Sequence, residues 1–237
     1  TRCLSSKAGG VDCPDAEKTV EDLLTLAPAI TPLFADVSWL VEEATRSGEE
    51  VLLEGAQGVL LDRIHGSYPF VTSSSTAIGG ICSGVGVGPR TIDTVVGILK
   101  AYTTRVGNGP FPTELHDATG ETLGRVGGEF GATTGRPRRC GWLDGVALRY
   151  AVRIGGITEI ALTKVDVLDG FEEVRIATSY RYPDGTEVAH WPARPWDLEQ
   201  VTPVYDTFPG WDRCVQEDGT IHPRAEQFIP VIEKLAG

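Results

Sequence analysis

The densest chemistry in the chain lies in Gly131-Ala132-Thr133-Thr134-Gly135-Arg136-Pro137-Arg138-Arg139. Glycines let backbone approach a ligand closely, threonine hydroxyls and N–H groups hold a carboxylate, and guanidinium forks match carboxylate or phosphate oxygens two at a time. So many of these types in one short segment read as an anion-binding loop, against the plainer alternative of a solvated basic turn. Cys140, which follows it, reads as a packing residue rather than a nucleophile. His65, in Asp62-Arg63-Ile64-His65-Gly66, is of the residue type most often used for proton transfer near neutrality.

A second constellation is Leu162-Thr163-Lys164-Val165-Asp166, at the end of an apolar run that predicts a strand. Open α/β sheets meet ligands at such strand ends. A carboxylate there suits guanine, because its two oxygens accept from the ring N1–H and the exocyclic amino group together, a donor pair that adenine lacks on that edge. Lys164 has an aliphatic stem long enough to lie against a base. The segment resembles the guanine-specificity motif of GTP-binding proteins. The plainer alternative is a strand end with surface ion pairs. The phosphate-cradling pattern G-x-x-x-x-G-K-[ST] does not occur in these 237 residues.

Positioning such loops takes a scaffold. Thr31 as N-cap, Pro32 in the first turn, and Leu33, Val37, Leu40, Val41 and Ala44 at helical spacing predict a helix from Thr31 to Gly48. Val51-Leu52-Leu53 predicts a short buried strand running into the turn Glu54-Gly55-Ala56-Gln57-Gly58, and Thr72 to Pro89 is a Ser-, Thr- and Gly-rich loop. Val95 to Tyr102 predicts a strand, Trp142 to Ile154 a helix and Ile157 to Val167 a further strand, a parallel α/β unit. Glu173 to Tyr180, the turn Pro183-Asp184-Gly185 and Glu187 to Trp191 then read as a hairpin. The expected fold is therefore α/β, a mostly parallel sheet flanked by helices with an antiparallel hairpin extension, and residues 1–237 form a single domain.

Composition narrows the function classes. With 41% hydrophobic and 23% charged residues the chain is that of an ordinary globular protein. A formal charge of -12 opposes phosphate-driven nucleic-acid binding, so any basic site is local, as at residues 136–139. The apolar stretches look short and carry nearby charges, which predicts no membrane span, and no signal pattern opens the chain. Cys3, Cys13, Cys82, Cys140 and Cys214 are odd in number without C-x-x-C spacing, so reduced structural thiols and a cytoplasmic location are expected. The chain starts Thr-Arg-Cys and contains no methionine, which reads as part of a longer protein.

Collinear stretches carry a closer resemblance: Leu53-Glu54-Gly55-Ala56-Gln57-Gly58, Tyr68-Pro69-Phe70-Val71-Thr72-Ser73-Ser74, Ala101 to Gly107, Gly109-Pro110-Phe111-Pro112-Thr113-Glu114-Leu115, Gly131 to Trp142, Leu162 to Gly170 and Tyr205 to Trp211. Together they resemble the central and later part of the adenylosuccinate synthetase family. That resemblance implies a P-loop-NTPase-like fold and a GTP-dependent ligation of L-aspartate to inosine monophosphate (IMP), with magnesium bridging the transferring phosphates. It implies IMP contacts at Gln57, Thr72 and Arg136. It also implies an aspartate-binding loop of Ala132, Thr133, Thr134, Gly135, Arg136, Pro137 and Arg138, and GTP contacts at Arg138, Lys164, Val165 and Asp166. The family's phosphate-binding segment with its catalytic base and magnesium ligand, its catalytic histidine and its last guanine-contacting stretch match nothing here. No catalytic or metal residue is therefore expected in this chain, and His65, His116, His190 and His222 are expected to be structural or exposed. The resemblance implies a homodimer and a piece that recognises substrates with little turnover of its own. Two alternatives stay open: the related synthetase that uses a deoxyguanylate (dGMP), and a non-catalytic guanine-nucleotide-binding accessory protein.

Overall fold

The computed structural model describes residues 14–131 and 135–237, and the chain divides into two compact units, residues 1–51 and 52–237. Ala132, Thr133 and Thr134 of the expected aspartate loop, and Cys3 and Cys13, lie outside the described residues.

The first unit is helical. Helix α1 (Ala16–Ile30) starts at Asp15, whose carboxylate accepts from the N–H groups of Glu17 and Lys18. Helix α2 (Val37–Arg46) starts at Asp36, which accepts from Trp39 N–H at 3.1 Å. The helix predicted from Thr31 thus begins six residues later. Thr31 closes α1 and enters a 3-10 turn over Thr31–Leu33, and residues 34–36 are extended before α2 is capped afresh. Pro32, which lacks an N–H, sits in that break. No residue of α1 or α2 is buried. Contrary to the expectation from short apolar stretches, Ala16–Arg46 is long and apolar enough, by length and composition, to cross a membrane. The break at residues 31–36 would, however, leave backbone groups without intrahelical partners in mid-run, which lipid penalises heavily.

The second unit carries the loops. Strand β1 (Val96–Lys100) pairs in parallel with a later strand, and β2 (Thr103–Arg105) follows it almost at once; helix α3 (Ile78–Val85) lies upstream and α4 (Ala118–Val126) downstream. Strand β3 (Arg139–Gly141) pairs antiparallel with β2, and β4 (Leu143–Asp144) leads into helix α5 (Gly145–Gly155). Strand β5 (Glu159–Thr163), β1's partner, gives way to a 3-10 turn over Val165–Leu168. Strand β6 (Glu173–Arg181) is the centre of a four-stranded sheet, with β4 parallel to it and β7 (Glu187–Val188) and β8 (Thr202–Pro209) antiparallel; helix α6 (Pro223–Ala236) closes the chain.

The parallel β1–β5 pair and the β6–β7 hairpin match their predictions, but a mostly parallel sheet does not describe the result. Among the described residues there are three small sheets, and two of the five strand pairings, β1–β5 and β4–β6, are parallel. Residues 51–53 form no strand, and Leu52 is 93% exposed, because an apolar run becomes a strand only where another backbone completes its ladder. The helix predicted from Trp142 starts at Gly145, since Leu143 and Asp144 pair with Ile176 and Ala177 and Asp144 then caps the helix through Ala147 N–H. The core gathers Trp142, Leu143, Ile176, Trp211, Phe228 and Ile232. Edge-on ring contacts of 5.7 Å between Trp142 and Phe171 and 5.8 Å between Trp211 and Phe228 fix its packing.

Candidate functional site

Among the described residues, only Gln57 (φ 61°) and Lys164 (φ 62°) hold a left-handed backbone without being glycine. Both were nominated from the sequence as ligand-contacting residues. That conformation is costly for a side-chain-bearing residue and persists where surroundings enforce it, often at binding sites.

Lys164 occupies the junction of β5 with the 3-10 turn, and its Nζ donates to the carbonyl of Gly127 at 2.8 Å. Its stem thereby crosses from the strand end to the C-terminus of α4, where a cation is favoured. Glycine is required at 127, because a Cβ there would collide with the Tyr102 hydroxyl. Asp166 is exposed in the turn that follows, Val165 is partly covered, and Val167 and Leu168 are buried beneath them.

Two residues beyond Gly127, Glu129 closes the base of the anion loop. Its carbonyl accepts from Arg138 N–H at 2.9 Å, Phe130 bridges to Pro137, and Gly131 N–H donates to the Arg136 carbonyl at 2.8 Å. Gly135, at φ 64°, donates its N–H to the Gly131 carbonyl. Arg136 and Pro137 are exposed and Arg138 is partly covered. The Glu129 carboxylate, with its side chain 1% exposed, accepts from Lys100 Nζ (2.8 Å to each oxygen), from the Tyr102 hydroxyl (2.5 Å) and from Arg138 Nη1 (2.8 Å). Burial alone would raise its pKa, but the bonds from Lys100, Tyr102 and Arg138 outweigh it and hold the carboxyl below its usual range. Tyr102 is pushed well up, first by burial and then by Glu129, with a further contribution from Asp166, so its hydroxyl stays a donor. Lys164 and Arg138, 26 residues apart along the chain, thus both bond to the single turn 127–129.

The other nominated region is built separately. Gln57 lines a cleft of about 350 Å³ with Glu54, Gly55, Ser74, Ser75 and Ile81, and its side-chain oxygen lies 3.4 Å from the Ser74 hydroxyl. Thr72 does not line this cleft; it is partly covered and donates its N–H to the Leu61 carbonyl at 2.8 Å. The loop from 62 to 77 folds around Asp62, whose buried carboxylate accepts from the N–H groups of Ile64 (2.9 Å), His65 (3.0 Å), Thr76 (2.7 Å) and Ala77 (3.5 Å). Burial raises the pKa of Asp62, yet these N–H groups together lower it to about 2. Arg105 then reaches from β2 to the Ser67 hydroxyl (2.8 Å) and the Phe70 carbonyl (3.2 Å), and Arg139, its cross-strand neighbour, binds Glu114 and the carbonyls of Gly107 and Gly109. The β2–β3 pair therefore carries both regions, with the 67–72 loop on Arg105 and the anion loop running directly into Arg139.

Sequence reasoning did not nominate Glu129, Lys100, Tyr102, Arg105 or Asp62. An acid two residues ahead of an arginine-rich glycine loop was the legible signal for Glu129; Asp62 had none, since its partners are backbone. The His65 side chain is exposed, and only its backbone takes part, donating to Asp62 and accepting from the Tyr150 hydroxyl; His116 Nε2 lies 3.7 Å from Glu114, and His222 caps α6. The Cys140 thiol is buried and pushed up to about 11, chiefly by that burial, which suits packing rather than nucleophilic chemistry. A second cleft, of about 370 Å³, is lined by Pro110, Phe111, Leu198, Val201 and Arg139, the last residue of the arginine-rich segment.

The second unit is thus an α/β scaffold that brings two separate chain segments onto one turn. A model of the adenylosuccinate synthetase family matches residues 3–237, and the chain belongs to that family. It is 48% identical over 226 residues to the adenylosuccinate synthetase of Acidothermus cellulolyticus and 52% identical over 230 residues to that of Mannheimia succiniciproducens, covering 94% and 96% of this chain and 53% of each relative. The structure of fully ligated adenylosuccinate synthetase from Plasmodium falciparum superposes with a TM-score of 0.86 at 37% identity, covering 94% of this chain and 54% of that one. The chain spans about half the length of the curated relatives it matches.

Proposed function

We propose that this chain serves the GTP-dependent ligation of L-aspartate to IMP through a 6-phosphoryl intermediate, giving adenylosuccinate, GDP and phosphate, and that its described residues supply recognition with little turnover of their own. The observation that carries this reading is the convergence of Lys164 and Arg138 on the turn 127–129. Asp166 reads the guanine edge beside the Lys164 stem, Arg138 and Arg136 face the aspartate carboxylates and the nucleotides, and Gln57 presents an amide to the IMP base with Thr72 on the phosphate side. Among the described residues no group of three or more His, Cys, Asp or Glu converges as a metal site, so no step through magnesium is derived from them; magnesium acts in the family reaction by neutralising the transferring phosphates.

The reaction is read as the change in purine ultraviolet absorbance when the full-length protein meets IMP, aspartate, magnesium and either GTP or ATP. Turnover that requires GTP and IMP is expected, and Asp166→Asn should lower kcat/KM for GTP by about 100-fold while hardly changing the rate with ATP. Equal service by ATP and GTP in the unaltered protein, or dGMP replacing IMP, would overturn the reading. We further propose a homodimeric, cytoplasmic enzyme; sedimentation of a monomer at micromolar concentration would contradict the dimer.

A further inference from the structure

We infer that Glu129 is a positioning residue for anion capture: it holds the Arg138 guanidinium and the closing strand of the anion loop in place before any ligand arrives. The inference rests on the proposed role of Arg138 in binding aspartate and GTP and goes beyond it to the residue that makes that role possible.

Glu129 grips Arg138 twice, through its carbonyl to the Arg138 N–H (2.9 Å) and through its carboxylate to Nη1 (2.8 Å). The carboxylate is in turn fixed by Lys100, which also donates to the Thr104 hydroxyl at 2.9 Å, and by Tyr102. Both anchors sit at the β1–β2 junction, and Tyr102, 1% exposed, belongs to the core cluster, so the clamp is tied to the buried core of this unit. A free arginine has the rotamer freedom of a long side chain to lose on binding an anion. Held through one of its five N–H groups, Arg138 has already lost part of it and keeps further donors for a ligand. The charges also add up suitably: Lys100 and Arg138 against one carboxylate and a neutral tyrosine leave a net single positive charge, so Glu129 orients the arginine without cancelling the attraction for an anion.

The test compares Glu129→Gln, Arg138→Gln and the double variant in the full-length protein. Glu129→Gln is expected to raise the KM for aspartate and GTP by about ten-fold or more with the KM for IMP within two-fold, and to add nothing in the Arg138→Gln background. Unchanged aspartate and GTP constants in Glu129→Gln, or an undiminished effect in the double variant, would overturn the positioning role while leaving the recognition reading intact. Unchanged constants in Arg138→Gln would overturn both. Should Glu129→Gln fail to fold, Tyr102→Phe, which removes one anchor of the carboxylate, is expected to raise the same two constants about three-fold and leave IMP alone; no such selectivity counts against the clamp. In the 237-residue chain itself, phenylglyoxal should modify Arg138 about five-fold faster in Glu129→Gln than in the parent, with exposed Arg46 as the internal standard, and equal rates would also overturn the inference.

Discussion

Asp62 and Glu129 are both buried carboxylates at the foot of a recognition loop, and they are satisfied in opposite ways. Asp62 accepts only from backbone N–H groups, four of them, and so sets the path of the chain from 62 to 77. Among the described residues the Glu129 carboxylate accepts only from side chains, two cations and a phenol, and so sets where charges stand. The first device shapes a loop on which the residue proposed for ligand contact, Thr72, is neutral; the second holds an arginine proposed for anion contact. Backbone donors fix a path, and side-chain donors fix the positions of charges.

The contrast can be broken most forcefully at Glu129. Replacing it with alanine strands two partly buried cations and a buried hydroxyl, and should cost about 3–5 kcal/mol in urea unfolding. Asp62→Asn should cost less, about 2–3 kcal/mol, because the amide keeps one acceptor while turning a donor toward backbone N–H groups. The acid response sharpens the difference. The Asp62 pKa is about 2 in the folded protein against an ordinary 3.8, so its contribution, about 2 kcal/mol, is fully present above about pH 4 and is lost as pH falls through 2. Thermal unfolding between pH 4 and 2 should therefore fall less steeply in Asp62→Asn than in the parent; parallel slopes would refute the assignment. The smallest effect is at the two left-handed residues. Gln57→Gly should gain up to about 1 kcal/mol by releasing strain, whereas Lys164→Gly should gain nothing because it also gives up the bond to the Gly127 carbonyl, a difference that paired denaturation curves would resolve.

What could be read in the sequence follows from how local each signal is. The runs that became β1 and β5 were legible because apolar residues and flanking glycines lie together in the chain, and the hairpin because Pro183-Asp184-Gly185 marks its own turn. The predicted strand at 51–53 failed because a strand is defined by a partner that no local pattern reveals. The helix predicted from Thr31 failed because its apolar spacing continues through a proline-containing break that only the cap at Asp36 repairs. Strand β8, which pairs along almost all of β6, carries no local mark of that partner and makes the antiparallel part of the fold larger than expected. At the candidate site, the residues proposed for ligand contact were nominated from residue types and the family resemblance, while Glu129 with Lys100 and Tyr102 act across separations of 29 and 27 residues and became visible only once the chain was folded.

The two-stranded parallel sheet has a practical side. Among the described residues strand β1 has β5 as its one partner, and its Val96 and Ile98 stand 53% and 74% exposed, so it offers both a row of backbone donors and acceptors and a greasy surface. In concentrated preparations of the 237-residue chain that edge offers neighbouring molecules a place to pair, and turbidity on storage should fall when Ile98 is replaced by lysine.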